Sequence, residues 1–326
     1  MNRPLPALQP IPEWHDVDVA SFRNEILAQY RPAVLRGVAR DWPAVRHALQ
    51  SAASVAGYIA AFDNGAEVDA IMTPPEAGGR IFYAPGMDGF NFLRNQLPVS
   101  AVIGQIARYA NFASAPAVAV QSARIADCLP GFAEANRMAL LDAAVQPRIW
   151  IGNRVTTPAH FDQSSNLACV VSGRRRFTLF PPEQVGNLYI GPLDFAPTPA
   201  PISMVSFKDP DFVRFPKFRD ALAVAQVAQL EPGDAIYIPT LWWHHVESLD
   251  ALNILVNYWW GSQPAIDARM PFDCLLGCLQ AMKDLPPEQK QAWGALFHHY
   301  LFNTDGDPAA HIPPHRRGVL ARSPLS

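Results

Sequence analysis

Residues 156–166 read TTPAHFDQSSN, and within them His160 and Asp162 stand two apart. On an extended strand that spacing means one face, so an imidazole and a carboxylate project together. The neighbours Phe161 and Leu167 are apolar, and the run GDAIYIPTLWWHHVESL at 233–249 sets His244 and His245 among Trp242, Trp243 and Val246. Burying a carboxylate and imidazoles without partners is costly, and a metal ion removes that cost. Of the adjacent histidines only one shares a strand face with Trp242 and Val246. Parity selects His244 and leaves His245 as an outer hydrogen-bonding or packing residue. Two imidazoles and one carboxylate leave several coordination positions free, as in non-haem iron(II) oxygenases, whereas a closed structural zinc site takes four protein ligands.

The run GRRRFTLFPP at 173–182 carries three consecutive arginines. On a strand, Arg175 shares its face with Phe177 and Leu179, while Arg174 and Arg176 share theirs with Thr178, so Arg175 is expected to point inward. A guanidinium inside a barrel requires an anion, and its planar fork suits a carboxylate held by two hydrogen bonds. The alternative is an internal salt bridge to Asp or Glu.

The 32 prolines and 19 glycines recur between short β-type runs, as in an all-β sandwich or barrel with many turns. Strands are expected at 33–38, 68–72, 148–152, 167–171, 176–180, 235–238 and 252–260. Helical spacing of apolar residues predicts helices over 17–30, 99–112 and 132–145. Residues 270–302 carry two apolar faces separated by Leu285-Pro286-Pro287, which predicts a helical hairpin that either packs on its own barrel or forms a homodimer surface. The expected organisation is an N-terminal segment of helices and flanking strands packing on the barrel (1–145), a catalytic core (146–262), and a C-terminal hairpin with a loosely ordered tail (263–326).

The 326 residues, 49% hydrophobic and 17% charged, are enough to bury a sizeable core. With 26 basic against 29 acidic residues, the chain offers no broad attraction for nucleic acid or anionic membranes. No apolar run approaches the roughly 20 residues that span a bilayer, and the proline-broken N-terminus carries no signal core, so a cytoplasmic location is expected. Cys128, Cys169, Cys274 and Cys278 lack zinc-finger pairing and are expected to be free thiols, the last two on a packed helix face.

Taken in order, HFD, GRRRFTLFPPEQ, DPDFVRFPKF, PGDAIYIPTLWWHHVESL and VNYWWG resemble the JmjC, or cupin-like, 2-oxoglutarate oxygenases, and within them the asparaginyl hydroxylase branch that inhibits hypoxia-inducible factor. The similarity covers roughly residues 148–261. It implies a mainly β fold with a double-stranded β-helix (jelly-roll) core, iron(II) held by catalytic His160, Asp162 and His244, and 2-oxoglutarate contacted by Thr157, Asn166 and Asn257. Arg175 stands where the family usually places a lysine for the distal carboxylate of 2-oxoglutarate. Residues 116–125 lack a tyrosine that relatives often direct at the same group. Trp259 matches an aromatic lining the substrate side, and the segment 209–218 is expected to help line that groove.

The resemblance implies hydroxylation of a C–H bond by dioxygen on a protein or peptide side chain. Hydroxylation of a small molecule or peptide natural product, a non-oxidative cupin-type module binding a metal or small acid, and a metal-dependent isomerase are the competing classes.

Overall fold

The computed structural model describes residues 7–261, 270–303 and 305–321. In chain order the strands are β1 (Gln9–Pro10), β2 (Glu13–His15), β3 (Ala33–Arg36), β4 (Glu67–Thr73), β5 (Leu93–Pro98), β6 (Ala117–Arg124), β7 (Pro147–Gly152), β8 (Thr156–His160), β9 (Ser165–Ser172), β10 (Arg175–Phe180), β11 (Gln226–Leu230), β12 (Ala235–Ile238), β13 (Trp243–Ser248) and β14 (Asn253–Trp260). They form a five-stranded sheet in the order β1-β11-β10-β13-β8 and a nine-stranded sheet in the order β2-β3-β12-β9-β14-β7-β6-β4-β5. The eight strands β7 to β14 divide equally between the two sheets, four each, which is the jelly-roll core. Strands β4, β5 and β6 extend the larger sheet by direct pairing.

Period-two alternation decides what lies on each face. In β9, Leu167, Cys169 and Val171 join an outer apolar cluster while Ala168 and Val170 join the cluster between the sheets. Strand β12 divides the same way, with Ala235 and Tyr237 outside and Ile236 and Ile238 inside. Both faces of these central strands are buried, hence their nearly continuous apolar sequences. In β10 the inner face carries Phe177 and Leu179, and in β14 Ile254, Val256 and Tyr258 take the outer face. Leu255, Asn257 and Trp259 are left facing inward.

Helices cover the outer face of the large sheet. Val99–Tyr109 buries Val99, Val102, Ile103 and Ile106, one stripe at helical spacing. Helices Pro43–Gln50 and Ala52–Ala60 meet at Ser51, whose side chain caps the second by accepting from the Ser54 amide at 3.0 Å. The expected helix over 132–145 is confined to Phe132–Ala135. Asn136 ends it: its Nδ2 donates to the Phe132 carbonyl at 2.9 Å and its Oδ1 accepts from the Ala44 amide at 2.9 Å, replacing the ladder with side-chain bonds.

The chain divides into two compact units at residues 263 and 264. That division, like the boundary expected at 262, lies outside the described residues. In the second unit, helices Pro271–Met282 and Pro287–Phe297 flank the expected break at the prolines. Leu275, Leu279, Trp293 and Leu296 stay exposed. Cys274 is exposed and Cys278 half-buried, so neither sits in a closed helix face; all four thiols are free. The tail has two short turns of 3-10 helix, Pro314–Arg316 and Gly318–Leu320, and its last five residues are outside the described set. No helix among the described residues is long and apolar enough to cross a membrane.

Candidate metal centre

The pairing of β8 with β13 sets His160 opposite His244 at the end of each strand's shared ladder. The two rings lie with centroids 4.2 Å apart. One ligand atom from each of His160, Asp162 and His244 falls within 4.8 Å of the others, the one such group of three among the described residues. His298, His299, His311 and His315 form no comparable group there.

Each imidazole is locked from behind. His160 Nδ1 lies 2.9 Å from the Pro158 carbonyl and His244 Nδ1 lies 3.0 Å from the Trp242 carbonyl. Carbonyls only accept, so both Nδ1 atoms carry a proton, which leaves Nε2 of each ring as the atom that can face a cation. Burial and the neighbouring His244 push the His160 pKa below the usual imidazole value, which favours the neutral ring. The carboxylate is held in the same way: Oδ2 of Asp162 accepts from Asn166 Nδ2 at 3.1 Å and from Trp259 Nε1 at 3.0 Å. His244 Nε2 stands 3.7 Å from that oxygen. The Leu241 amide donates to the Asp162 carbonyl at 3.0 Å, with Leu241 itself in the left-handed region at φ 65°, so the two ligand-bearing segments are tied through the backbone. This donor set fits a divalent transition ion with open positions.

The cluster opens into a cavity of about 420 Å³. Thr157, Asn166, Arg175, Asn257 and Trp259 all line it, so every residue expected at the site faces one space. Asn257 Oδ1 accepts from Trp150 Nε1 at 2.9 Å, and its Nδ2 reaches Asn166 Oδ1 at 3.5 Å. His245 points the other way and stacks on Phe207 with centroids 4.2 Å apart.

The three arginines separate as alternation requires. Arg174 pairs with Asp250 at 2.9 Å and Arg176 with Glu247 at 3.6 Å, both on the outer face. Arg175 is 8% exposed, its Nε has no hydrogen-bond partner, and burial alone lowers its pKa to about 10. The internal salt bridge that the sequence allowed is therefore absent among the described residues.

Other wall residues escaped the sequence reading. Trp150 and Arg148 alternate with buried Pro147, Ile149 and Ile151 in β7, a period-two signal that would have found them. Gln121 and Ser122 line the wall in the stretch where relatives often carry a tyrosine, and Pro197 to Ala200 form another part of it. The segment 209–218 is not part of this wall. Asp211 Oδ1 accepts from the Val213 and Arg214 amides, folding the segment on itself, while Phe215 and Phe218 pack on Tyr189 and Phe207.

The profile of the cupin-like domain matches residues 19–266. Among curated relatives, human HSPB1-associated protein 1 is 38% identical over 113 residues, 34% of this chain and 22% of the relative. Lysine-specific demethylase JMJ31 of Arabidopsis thaliana is 38% identical over 103 residues, 32% of this chain and 18% of the relative. Lysine-specific demethylase 8 of Xenopus tropicalis is 26% identical over 257 residues, 77% of this chain and 52% of the relative. The chain thus spans about half or less of the length of these relatives. With the family profile covering the whole jelly roll and both metal-facing segments, the chain belongs to the cupin-like domain family, in its JmjC-type form.

Proposed function

We propose that the chain is an iron(II)- and 2-oxoglutarate-dependent oxygenase that hydroxylates a C–H bond on a protein or peptide side chain. Arg175 carries this reading: a buried guanidinium with an unpaired Nε shares one cavity with the three-ligand cluster. A buried cation without a counter-ion is costly, and a carboxylate matches its fork. Arg175 pairs with Ser248 and His244 with Leu179, an offset of four residues along both strands, about 13 Å at the usual rise of ~3.3 Å. The long arginine side chain covers part of that distance and a short dicarboxylate suits the rest.

His160, Asp162 and His244 would hold the ion. Asn166 and Trp259 fix the carboxylate orientation, and the carbonyls of Pro158 and Trp242 fix the two imidazole tautomers. Thr157 and Asn257 offer a hydroxyl and an amide toward the co-substrate. Ala168, Phe177, Ile238, Val246 and Leu255 give the cavity apolar walls that exclude water. When bound, ferrous ion and 2-oxoglutarate would supply the electrons that activate dioxygen, one oxygen atom going to succinate as 2-oxoglutarate loses carbon dioxide and the other to the substrate C–H bond.

The test is release of succinate by iron-loaded protein given 2-oxoglutarate and oxygen, with no other substrate. Slow release is expected from the native chain and none from His160→Ala. Absence of succinate at every iron and 2-oxoglutarate level would overturn the reading in favour of a non-oxidative binding module.

A further inference from the structure

The cavity contains three arginines, and they differ in what they face. Arg94 pairs with Asp69 at 2.6 Å across β5 and β4. Arg175 awaits the anion discussed above. Arg148, on β7 opposite Asn257 of β14, is the third. Its Nη1 donates to the Ser122 carbonyl at 2.9 Å, with Ser122 Oγ at 3.5 Å, and its guanidinium carbon sits 5.6 Å from the Trp259 ring centroid. A guanidinium has five N–H donors, so most of this one's capacity is unused, and no carboxylate among the described residues pairs with it.

The backbone is shaped to hold it there. Pairing of β6 with β7 slips between Val120 and Ala123, and Ser122 inside that slip has φ 50°. A left-handed non-glycine residue is strained, and a bulge of this kind re-aims the groups it carries. The strain falls on the cavity wall, where the redirected Ser122 carbonyl secures one edge of Arg148 and leaves the others free.

We propose that Arg148 is a specificity-determining residue that receives an acidic side chain of the peptide substrate, so that the oxidised residue has an Asp or Glu close to it. This rests on the oxygenase reading. One dicarboxylate co-substrate has a single distal carboxylate, which Arg175 takes, so the second unmatched guanidinium belongs to another anion. Arg148 packs over Trp259, and Trp259 holds the ligand Asp162, which puts the acidic subsite beside the metal. A cationic methyl-lysine is disfavoured by the same charge.

The experiment uses a random nonapeptide library, supplemented with methyl-lysine peptides, incubated with the iron-loaded full chain, 2-oxoglutarate and oxygen. Peptides gaining one oxygen atom are sequenced by tandem mass spectrometry, and formaldehyde reports demethylation. Oxidised peptides are expected to be enriched about tenfold in Asp or Glu within two residues of the modified position, as one charge-assisted bond allows. Arg148→Met should erase that enrichment and Arg148→Glu should replace it with enrichment in Lys or Arg, thermal melting confirming that both variants fold. Oxidised peptides without acidic bias, a bias that survives Arg148→Met, selective demethylation of methyl-lysine, or succinate without any oxidised peptide each overturn the proposal. Absence of succinate from the native chain removes the oxygenase reading itself, a separate result.

Discussion

The indole Nε1 of Trp259 donates to Oδ2 of Asp162 at 3.0 Å, so an aromatic residue of the cavity wall also sets the orientation of a candidate metal ligand. Trp259→Phe keeps a ring against Trp150, which it meets edge-on at 6.3 Å, and removes only the donor. Loss of such an outer partner lowers metal affinity by roughly 10-fold or more. Anaerobic calorimetric titration with ferrous ion should show that loss with the melting temperature of the metal-free protein little changed. Equal affinity in the variant would mean that Asn166 alone orients the carboxylate.

Arg175→Met separates the cost of a buried charge from its use. In the free protein the guanidinium is buried with Nε unpaired, so an apolar side chain of similar length should be neutral or stabilising by about 1 kcal/mol. With 2-oxoglutarate present the order reverses, because only the native chain offers the carboxylate two charge-assisted bonds, worth roughly 10- to 100-fold in affinity. Thermal melting with and without 2-oxoglutarate reads both effects. A variant that melts lower alone and still gains stability from 2-oxoglutarate would remove the assignment.

Much of this site was legible because strand parity is a strict rule. Alternation separates His244 from His245 and Arg175 from Arg174 and Arg176, and the structure distributes them the same way; His160 and Asp162 come together as expected, although Asp162 lies just past the end of β8. What stayed hidden depended on partners distant in sequence. Asn166 and Trp259 are read from sequence only as residues toward co-substrate and substrate; that each also donates to Asp162 shows only in the fold. Strand β6 is not among the strands expected from sequence, and the positive φ of Ser122 within it follows from a slip in pairing with β7, which no local pattern in 116–125 encodes. The helix expected to 145 stopped at Ala135 because Asn136 bonds to Ala44, 92 positions earlier.

The four thiols give a labelling pattern. Burial raises the Cys128 thiol to about 11 and pushes Cys169 up further, so both stay protonated and enclosed at pH 8, whereas Cys274 is exposed and Cys278 half-buried. The thiolate is the reactive form. Iodoacetamide at pH 8 should add one or two carbamidomethyl groups to the native chain, on Cys274 and Cys278, and four after denaturation, as intact mass will show. Early modification of Cys169 would mean that β9 opens readily, contrary to its burial on both faces.

Gly173 turns the chain from β9 of the nine-stranded sheet into β10 of the five-stranded sheet, which begins at Arg175. It sits between β9 and β10 with φ 71°, and a Cβ there would lie 2.4 Å from Asn253 Oδ1 and 2.6 Å from the Leu252 carbonyl. Asn253 cannot yield freely, since its Nδ2 donates to the carbonyls of Asn153 at 3.1 Å and Asp250 at 2.6 Å. Gly173→Ala therefore combines left-handed strain with a clash against backbone, and a loss of about 2–4 kcal/mol is expected. Gly186, where a Cβ meets nothing within 4 Å and φ is not positive, is the control, and Gly186→Ala should change stability by less than about 0.5 kcal/mol. Because Gly173 precedes Arg175 by two residues, a folded Gly173→Ala chain should also need more 2-oxoglutarate to reach half its maximal thermal stabilisation. Urea denaturation of the two variants with and without 2-oxoglutarate measures both effects, and equal stability of Gly173→Ala and Gly186→Ala would show that the turn can relax without moving the start of β10.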